Sequence, residues 1–427
     1  MDEQKLAEDT IKIPLEEFQT LNWEYPQLMR INKNFGPDRL FCDNPKWTNT
    51  FTRDFGTLEF DSKAIDQLLP GEWGYPYSAV RDDDFMNRMI NSYSARLHEH
   101  AWREFATDLW SHNSNQNTNA LKISVDAKDM NLCYELFSHM YGSTLMAGIQ
   151  QGMQFEFLCR NYPRLLDWVR LNAYDCLLSF LEFMGVTGVQ NPEQGGDMIG
   201  KDYVPALDLV FARLDKWGYS NLKFPAWQGN LYAWKTNQGL VDARMLQALY
   251  MAIKIARKLK NDFTAPIGEI GGGTGYVIYW LYSMGFRNLT IVDLPEVSLC
   301  QAWMLRQNIN LDAIRLSGET HTAPINIVGP TDFFSQDYTL VINSDSLPEM
   351  EINIAHGYLS HIQDHSTWFY SINQEAATTS DFVKFGKVRQ LVIRSEIYRN
   401  FPKMELVDRN KFWMRNGYTE EWYHMQK

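Results

Sequence analysis

The chain has 427 residues, 45% hydrophobic and 22% charged, which is ordinary for a soluble globular protein and enough for two or three domains around a large core. Lys plus Arg number 40 against 52 Asp plus Glu, and the resulting net charge of −12 disfavours nucleic acid and anionic membrane as partners. The opening MDEQKLAEDT reads as no leader, and the five scattered cysteines (Cys42, Cys133, Cys159, Cys176 and Cys300) form no CxxC pair, so the expectation is a cytoplasmic protein with reduced, mostly buried thiols.

Residues 1 to about 120 are mixed and rich in turn formers. Trp73, Tyr75 and Tyr77 in GEWGYPYSA are loop candidates that could offer flat faces to a sugar. From 128 to 186 apolar residues recur three and four apart, which predicts helices. Residues 186–197 read as a loop, another helix is expected near 203–216, and 239–260 is a strong amphipathic helix. After residue 264 short β-rich runs alternate with helical ones. The runs are PIGEI, NLTIVDL, PINIVGP, YTLVINS, STWFYSIN, QLVIRSEIY and GYTEEWYHMQ. This alternation predicts an α/β fold, a parallel sheet with helices on both faces. KFWMRNGYTEEWYHM predicts a closing hairpin through an Asn-Gly turn, which would add an antiparallel strand. Two regions follow: a mostly helical 1–238, serving as a cap, a substrate region or a homodimer contact, and a ligand-binding domain at 239–427.

GEIGGGTGY, residues 268–276, joins the first of these strands to a helix. The longest uncharged run, 270–286, begins in these glycines, so it is a poor membrane span. Glycines at the carboxyl end of a strand let a ligand approach the backbone, with a helix N-terminus behind them. A dinucleotide fingerprint counted from Gly271 would need glycine at 276, where Tyr276 stands. What is present is E-x-G-x-G-x-G, from Glu269 through Gly271, Gly273 and Gly275. A carboxylate there repels a pyrophosphate but suits a ligand bearing ammonium and sulfonium groups, S-adenosylmethionine. Ribose hydroxyls need an acceptor at the next strand end, roughly 20 residues on. Asp293 in TIVDLPEV stands 18 residues after Gly275. PINIVGPTDFF places Asp332 and Phe333 at a third strand end, one to bond the adenine amine and one to lie on the ring.

These residues resemble class I S-adenosylmethionine-dependent methyltransferases. They are most similar to bacterial sugar O-methyltransferases, through Glu269–Gly275, Asp293–Val297, Asn343–Met350 and Tyr370–Asn373, over about 190 C-terminal residues. The resemblance implies a Rossmann-like sheet of seven strands in the order 3-2-1-4-5-7-6, with strand 7 antiparallel. It implies that Glu269, Gly271, Gly273, Asp293 and Asp332 line the cofactor, and it puts Arg244 near the methionine carboxylate. Leu294 and the strand-end Asn343 are assigned to the same site. Phenol-type enzymes carry a histidine base after the fourth strand, but this chain has NSDSLPEM there, so that mechanism does not transfer.

A sugar hydroxyl is a weak nucleophile and needs a general base or a metal. Asp345 and Glu349 are four apart and can face one pocket, so they are the catalytic candidates. Ser346 or Asp345 is also a natural helix N-cap, with Pro348 in the first turn. A divalent ion on Asp345, Glu349 and a histidine is the less favoured route. His356, His361 and His365 read instead as exposed and remote from the strand ends. Asn373 and Gln374 at the fifth strand end suit a polyhydroxylated substrate, and Tyr398 and Arg399 are expected to border the acceptor. The expected activity is O-methylation of a sugar or glycosylated metabolite. The alternatives are a phenolic or other small hydroxylated acceptor and a non-catalytic nucleotide-binding scaffold. A dehydrogenase ranks last.

Overall fold

The computed structural model describes residues 72–73, 80–96, 119–142, 144–146, 149, 163–189, 203–226, 232–375 and 391–426. In the first part these form helices α1 (Asp83–Ala95), α2 (Asn119–Asp126), α3 (Met130–Ser138), α4 (Pro163–Phe183) and α5 (Asp208–Lys216). A small sheet joins β1 (Glu72–Trp73), β2 (Tyr232–Thr236) and β3 (Gly239–Val241), so the expected boundary at 238/239 falls at the turn of the β2–β3 hairpin. Trp73 therefore lies in a strand, while Tyr75 and Tyr77 lie outside the described residues.

From 243 onward α and β alternate. The elements are α6 (Ala243–Lys258), β4 (Ile267–Ile270), α7 (Tyr276–Met284), β5 (Leu289–Val292), α8 (Pro295–Arg306), β6 (Ile314–Leu316), β7 (Ile325–Val328), the short α9 (Pro330–Phe333) and β8 (Tyr338–Ser344). They continue through α10 (Ile352–His365), β9 (Ser366–Gln374), α11 (Ile393–Asn400), β10 (Met404–Lys411) and β11 (Tyr418–Met425). Among the described residues these strands make one sheet of eight, ordered β10-β11-β9-β8-β4-β5-β7-β6. β11 runs antiparallel to β9 and β10, and the other pairings are parallel.

Three expectations need correction. The sheet has eight strands rather than seven, because IRL at β6 adds an edge beside β7. QLVIRSEIY is not a strand: Ile393 and Ile397 are four apart and both buried, so period four wins and α11 forms. The last hairpin turns at the expected Asn416-Gly417, but its first strand lies further upstream than KFWMR. β10 ends at Lys411, and Phe412 to Gly417 make the turn, with Gly417 at φ +82°.

Strand alternation divides the interior in two. Ile267, Ile291, Ile327, Leu340, Ile342 and Tyr370 face α6, α7, α8 and the first-part helices. Val292, Val328, Val341, Phe369 and Tyr423 face α9, α10 and α11. The first core is continuous from Phe85 in α1 to Trp422 in β11, so the N-terminal helices are built into the body of the sheet domain. α1 is also pinned by charge: Asp82 pairs with Arg306 of α8 at 2.7 Å, and Arg88 Nε donates to Glu319 at 2.6 Å. Cys133, Cys176 and Cys300 are buried free thiols; Cys42 and Cys159 lie outside the described residues. Among the described residues no helix is long and apolar enough to cross a membrane.

β5 and β8 flank β4 on opposite sides. The chain therefore reverses its winding direction at β4, and the carboxyl end of β4 is the place where an open α/β sheet leaves a crevice.

Candidate active site

The crevice is a cavity of about 560 Å³, lined by the glycine loop and by the ends of β5, β7 and β8. That volume is in the range of small-molecule and cofactor sites. The loop is bare for a mechanical reason. Gly271 has φ +68°, and a Cβ there would overlap the side chain of Ser346. A Cβ on Gly272 would stand 2.8 Å from Glu269 Oε2. Gly275, at φ +80°, starts α7.

Glu269 ends β4 on the cavity wall and is 3% exposed. Among the described residues nothing donates a hydrogen bond to its Oε2. Burial, with the neighbouring Asp293 second, pushes its carboxyl up to about 8. A ligand ammonium would supply an acid held in this way with a positively charged partner.

Asp293 is half-buried at the end of β5 and also lines the cavity. Gly273 N–H donates to its Oδ2 at 3.2 Å, Leu294 N–H to Oδ1 at 2.8 Å and Gln301 Nε2 to Oδ2 at 2.7 Å. Burial is the main influence on its carboxyl and raises it to about 6, against the two backbone donors and Arg96. Leu294 and Arg244 line the same cavity, and Arg244 lies in the first turn of α6, whose N-cap is Asp242.

Other predicted residues fall elsewhere. Asp332 is exposed on α9 and is not part of the lining. Phe333 is fully buried, stacked on Tyr338 with ring centroids 4.8 Å apart; the ring at the cavity is Phe334, one residue on, with Pro330 and Thr331. The helical phase of α9 turns Phe333 inward, which a strand-end reading could not anticipate. Asn343 is 0% exposed and serves as a cross-strand tie: Nδ2 donates to Ile270 O at 3.0 Å, and Oδ1 accepts from Asn373 Nδ2 at 3.0 Å. Asn373 in turn accepts from Asp345 N–H at 3.0 Å, so its amide is spent on the framework. Neither Asn373 nor Gln374 lines the cavity. Tyr398 is 90% exposed on α11, Arg399 beside it is exposed, and both lie away from the lining.

Asp345 and Glu349 both line the cavity. They are not on one helix: Leu347–Glu349 is a single tight turn, and α10 starts later, capped by Glu351. Ser346 gives no cap bond; its Oγ donates to Ile270 O at 3.0 Å. Asp345 sits at φ +68°, which Asp tolerates better than most residues. Its carboxylate accepts from Arg415 Nη1 at 2.6 Å and from Tyr418 OH at 2.8 Å. Glu349 is 5% exposed. The histidines of α10 serve elsewhere: His356 meets Glu396 at 2.9 Å, His365 meets Asp337 at 2.8 Å, and His361, expected exposed, is buried against Gln336 O at 3.0 Å. Among the described residues no group of three or more His, Cys, Asp or Glu could hold a metal ion.

Sequence reasoning missed Tyr276, Gln247, Ile149 and Tyr358 in the lining. Tyr276 and Gln247 follow motif residues closely and were within reach of the pattern; Ile149 comes from the first part of the chain, where no motif marked it.

The residues present fit S-adenosylmethionine. The Glu269 oxygen without a partner among the described residues, the loop that side chains would fill and the acid at the end of β5 are the observations that test it.

No protein-family model and no curated protein matches the chain. Solved structures resemble part of it. Mitomycin 7-O-methyltransferase MmcR is 15% identical, over 43% of this chain and 54% of its own, with a TM-score of 0.32. The glycopeptide N-methyltransferase MtfA in complex with S-adenosylhomocysteine is 11% identical, over 42% of this chain and 90% of its own, with a TM-score of 0.30. A Thermoplasma acidophilum protein, 1320, is 13% identical, over 43% of this chain and 90% of its own, with a TM-score of 0.29. At such scores the likeness carries no assignment by itself.

Proposed function

We infer that this protein is an S-adenosylmethionine-dependent O-methyltransferase acting on a hydroxyl of a sugar or glycosylated metabolite. The observation that carries the reading is Glu269, a buried carboxyl with an oxygen that has no partner among the described residues, set beside a loop that must stay bare. When bound, S-adenosylmethionine supplies an activated methyl group on a sulfonium. Glu269 meets the ammonium end, Arg244 the carboxylate and Asp293 the ribose hydroxyls. Phe334 and Leu294 enclose the base.

Glu349 takes the acceptor's hydroxyl proton onto a carboxylate oxygen. Asp345, whose two oxygens hold Arg415 and Tyr418, has a positioning role beside it. Asp345 therefore orients the wall of the cavity. Met251, Met350 and Ile354 add apolar side chains to the cavity wall.

The acceptor class rests on the resemblance, since Asn373 and Gln374 do not reach the cavity. The apolar lining favours a second reading, a phenolic or other less polar hydroxyl acceptor. Incubation with methyl-labelled S-adenosylmethionine and panels of glycosides and phenols decides between them. Label on a glycoside hydroxyl supports the first reading and label on phenols the second. Failure to label either panel, with the cofactor bound, contradicts hydroxyl transfer. Glu349→Gln should lower turnover about 10²–10⁴-fold at unchanged cofactor affinity, and normal turnover would remove the base assignment.

A further inference from the structure

Arg96 caps the C-terminus of α1, in the N-terminal helical region, and is 4% exposed. Its Nη1 donates to Ser298 Oγ at 2.7 Å, and its Nη2 donates to the main-chain carbonyl of Asp293 at 2.5 Å. Ser298 Oγ donates to the same carbonyl at 3.4 Å. The guanidinium thus closes a ring under the turn from β5 into α8, directly behind the acid that faces the cavity. α1 cannot easily withdraw it. Phe85, Met86, Met89, Ile90 and Tyr93 are buried along one face, and the Asp82–Arg306 and Arg88–Glu319 pairs hold both flanks.

The charges around Asp293 make this placement informative. Glu269 on β4 and Glu296 on α8 are acids beside it, and the buried Cys300 thiol of α8 lies within the field of Glu296 and Asp293. Gly273, Leu294 and Gln301 are neutral donors. Arg96 brings positive charge into this group, and its field acts on the Asp293 carboxyl in the direction of ionisation. An ionised acceptor bonds ribose hydroxyls more strongly than a protonated one.

We propose that Arg96 is a positioning residue for the nucleoside site: it fixes the backbone that presents Asp293 and keeps that carboxylate charged, so the sheet domain's sugar-binding acid depends on a side chain from outside the region of resemblance. The proposal rests on reading the cavity as a nucleoside site.

The test uses the full chain and 5′-methylthioadenosine, a neutral nucleoside without the amino-acid tail, so the charge on Glu269 is not what binding reads. Calorimetric titrations run from about pH 5 to about pH 8 on the wild type, Arg96→Lys and Arg96→Gln. Wild-type affinity should fall as the pH drops through the Asp293 midpoint, and Asp293→Asn should abolish that midpoint. Arg96→Gln keeps a donor but loses the charge, and should move the midpoint up by about one pH unit, a loss of about fivefold near pH 6 that vanishes at high pH. Arg96→Lys should follow the wild type. An unmoved midpoint in Arg96→Gln, or equal weakening of both variants at every pH, overturns the proposal. A Gln variant that does not fold makes Arg96 a structural anchor and overturns it too. Failure of the wild type to bind the nucleoside at all removes the nucleoside reading, and the proposal with it.

Discussion

Two neighbouring strand ends treat their polar groups in opposite ways. At β8 and β9 everything is answered from within: Asn343 holds Ile270 and Asn373, Asn373 holds Asp345, and Asp345 holds Arg415 and Tyr418. At β4 Glu269 is left with a buried oxygen that no described residue meets. Natural interiors rarely leave such a group without a reason. A satisfied network rigidifies a wall, whereas an unsatisfied acid in a cavity specifies what must come to it. The polarity of a strand-end residue is therefore a poor guide to binding until its partners are known.

The largest expected effect breaks the β4 side outright. Gly271→Val would drive a branched side chain into Ser346 at a positive φ, abolish cofactor binding and lower stability by about 3 kcal/mol, read by calorimetry and thermal unfolding.

Glu269→Gln sharpens the comparison. Binding of S-adenosylmethionine should weaken about 10–100-fold, since a charge-assisted contact is lost. The ligand-free protein should respond the other way. Burial pushes the folded Glu269 carboxyl up to about 8, above its unfolded value, so the folded state holds a proton that the unfolded state gives up. Stability is then full below the unfolded midpoint, declines as the pH rises from there to the folded one, and levels off above it. That decline costs about 3 kcal/mol by pH 7 and should flatten in the Gln variant, as denaturant midpoints across pH would record. An unchanged slope would mean the acid has a partner after all.

On the answered side, Asp345→Asn keeps a residue that tolerates the left-handed backbone and removes only the charge. It should cost about 2 kcal/mol by removing the charge from the Asp345–Arg415 pair, with a smaller effect on cofactor affinity than Glu269→Gln. Tyr398→Ala should change stability by less than about 0.5 kcal/mol and leave binding as it is; a clear loss of acceptor affinity would restore its predicted place at the site.

The alternation of β-rich and helical runs after residue 264 made the layered sheet legible, because buried strands and amphipathic helices differ in period. IRL was too short to register as a strand, and Ile393 with Ile397 resembled one until its period of four was counted. In the site, the glycines were readable because a positive φ and the lack of room for a Cβ demand them, and Glu269 and Asp293 because they are acids at the ends of successive strands. Phe333 and Asn373 were misread because their roles depend on the turn of α9 and on a cross-strand partner, neither of which one segment encodes. Arg96 left no local signal; it reaches Asp293 from 197 residues away in the sequence.

The most direct measurement is calorimetric titration of the wild-type chain with S-adenosylmethionine and, separately, with NAD. Saturable binding of S-adenosylmethionine and none of NAD is the predicted result. Tighter binding of NAD, or no heat from either, would contradict the assignment of the Glu269 cavity.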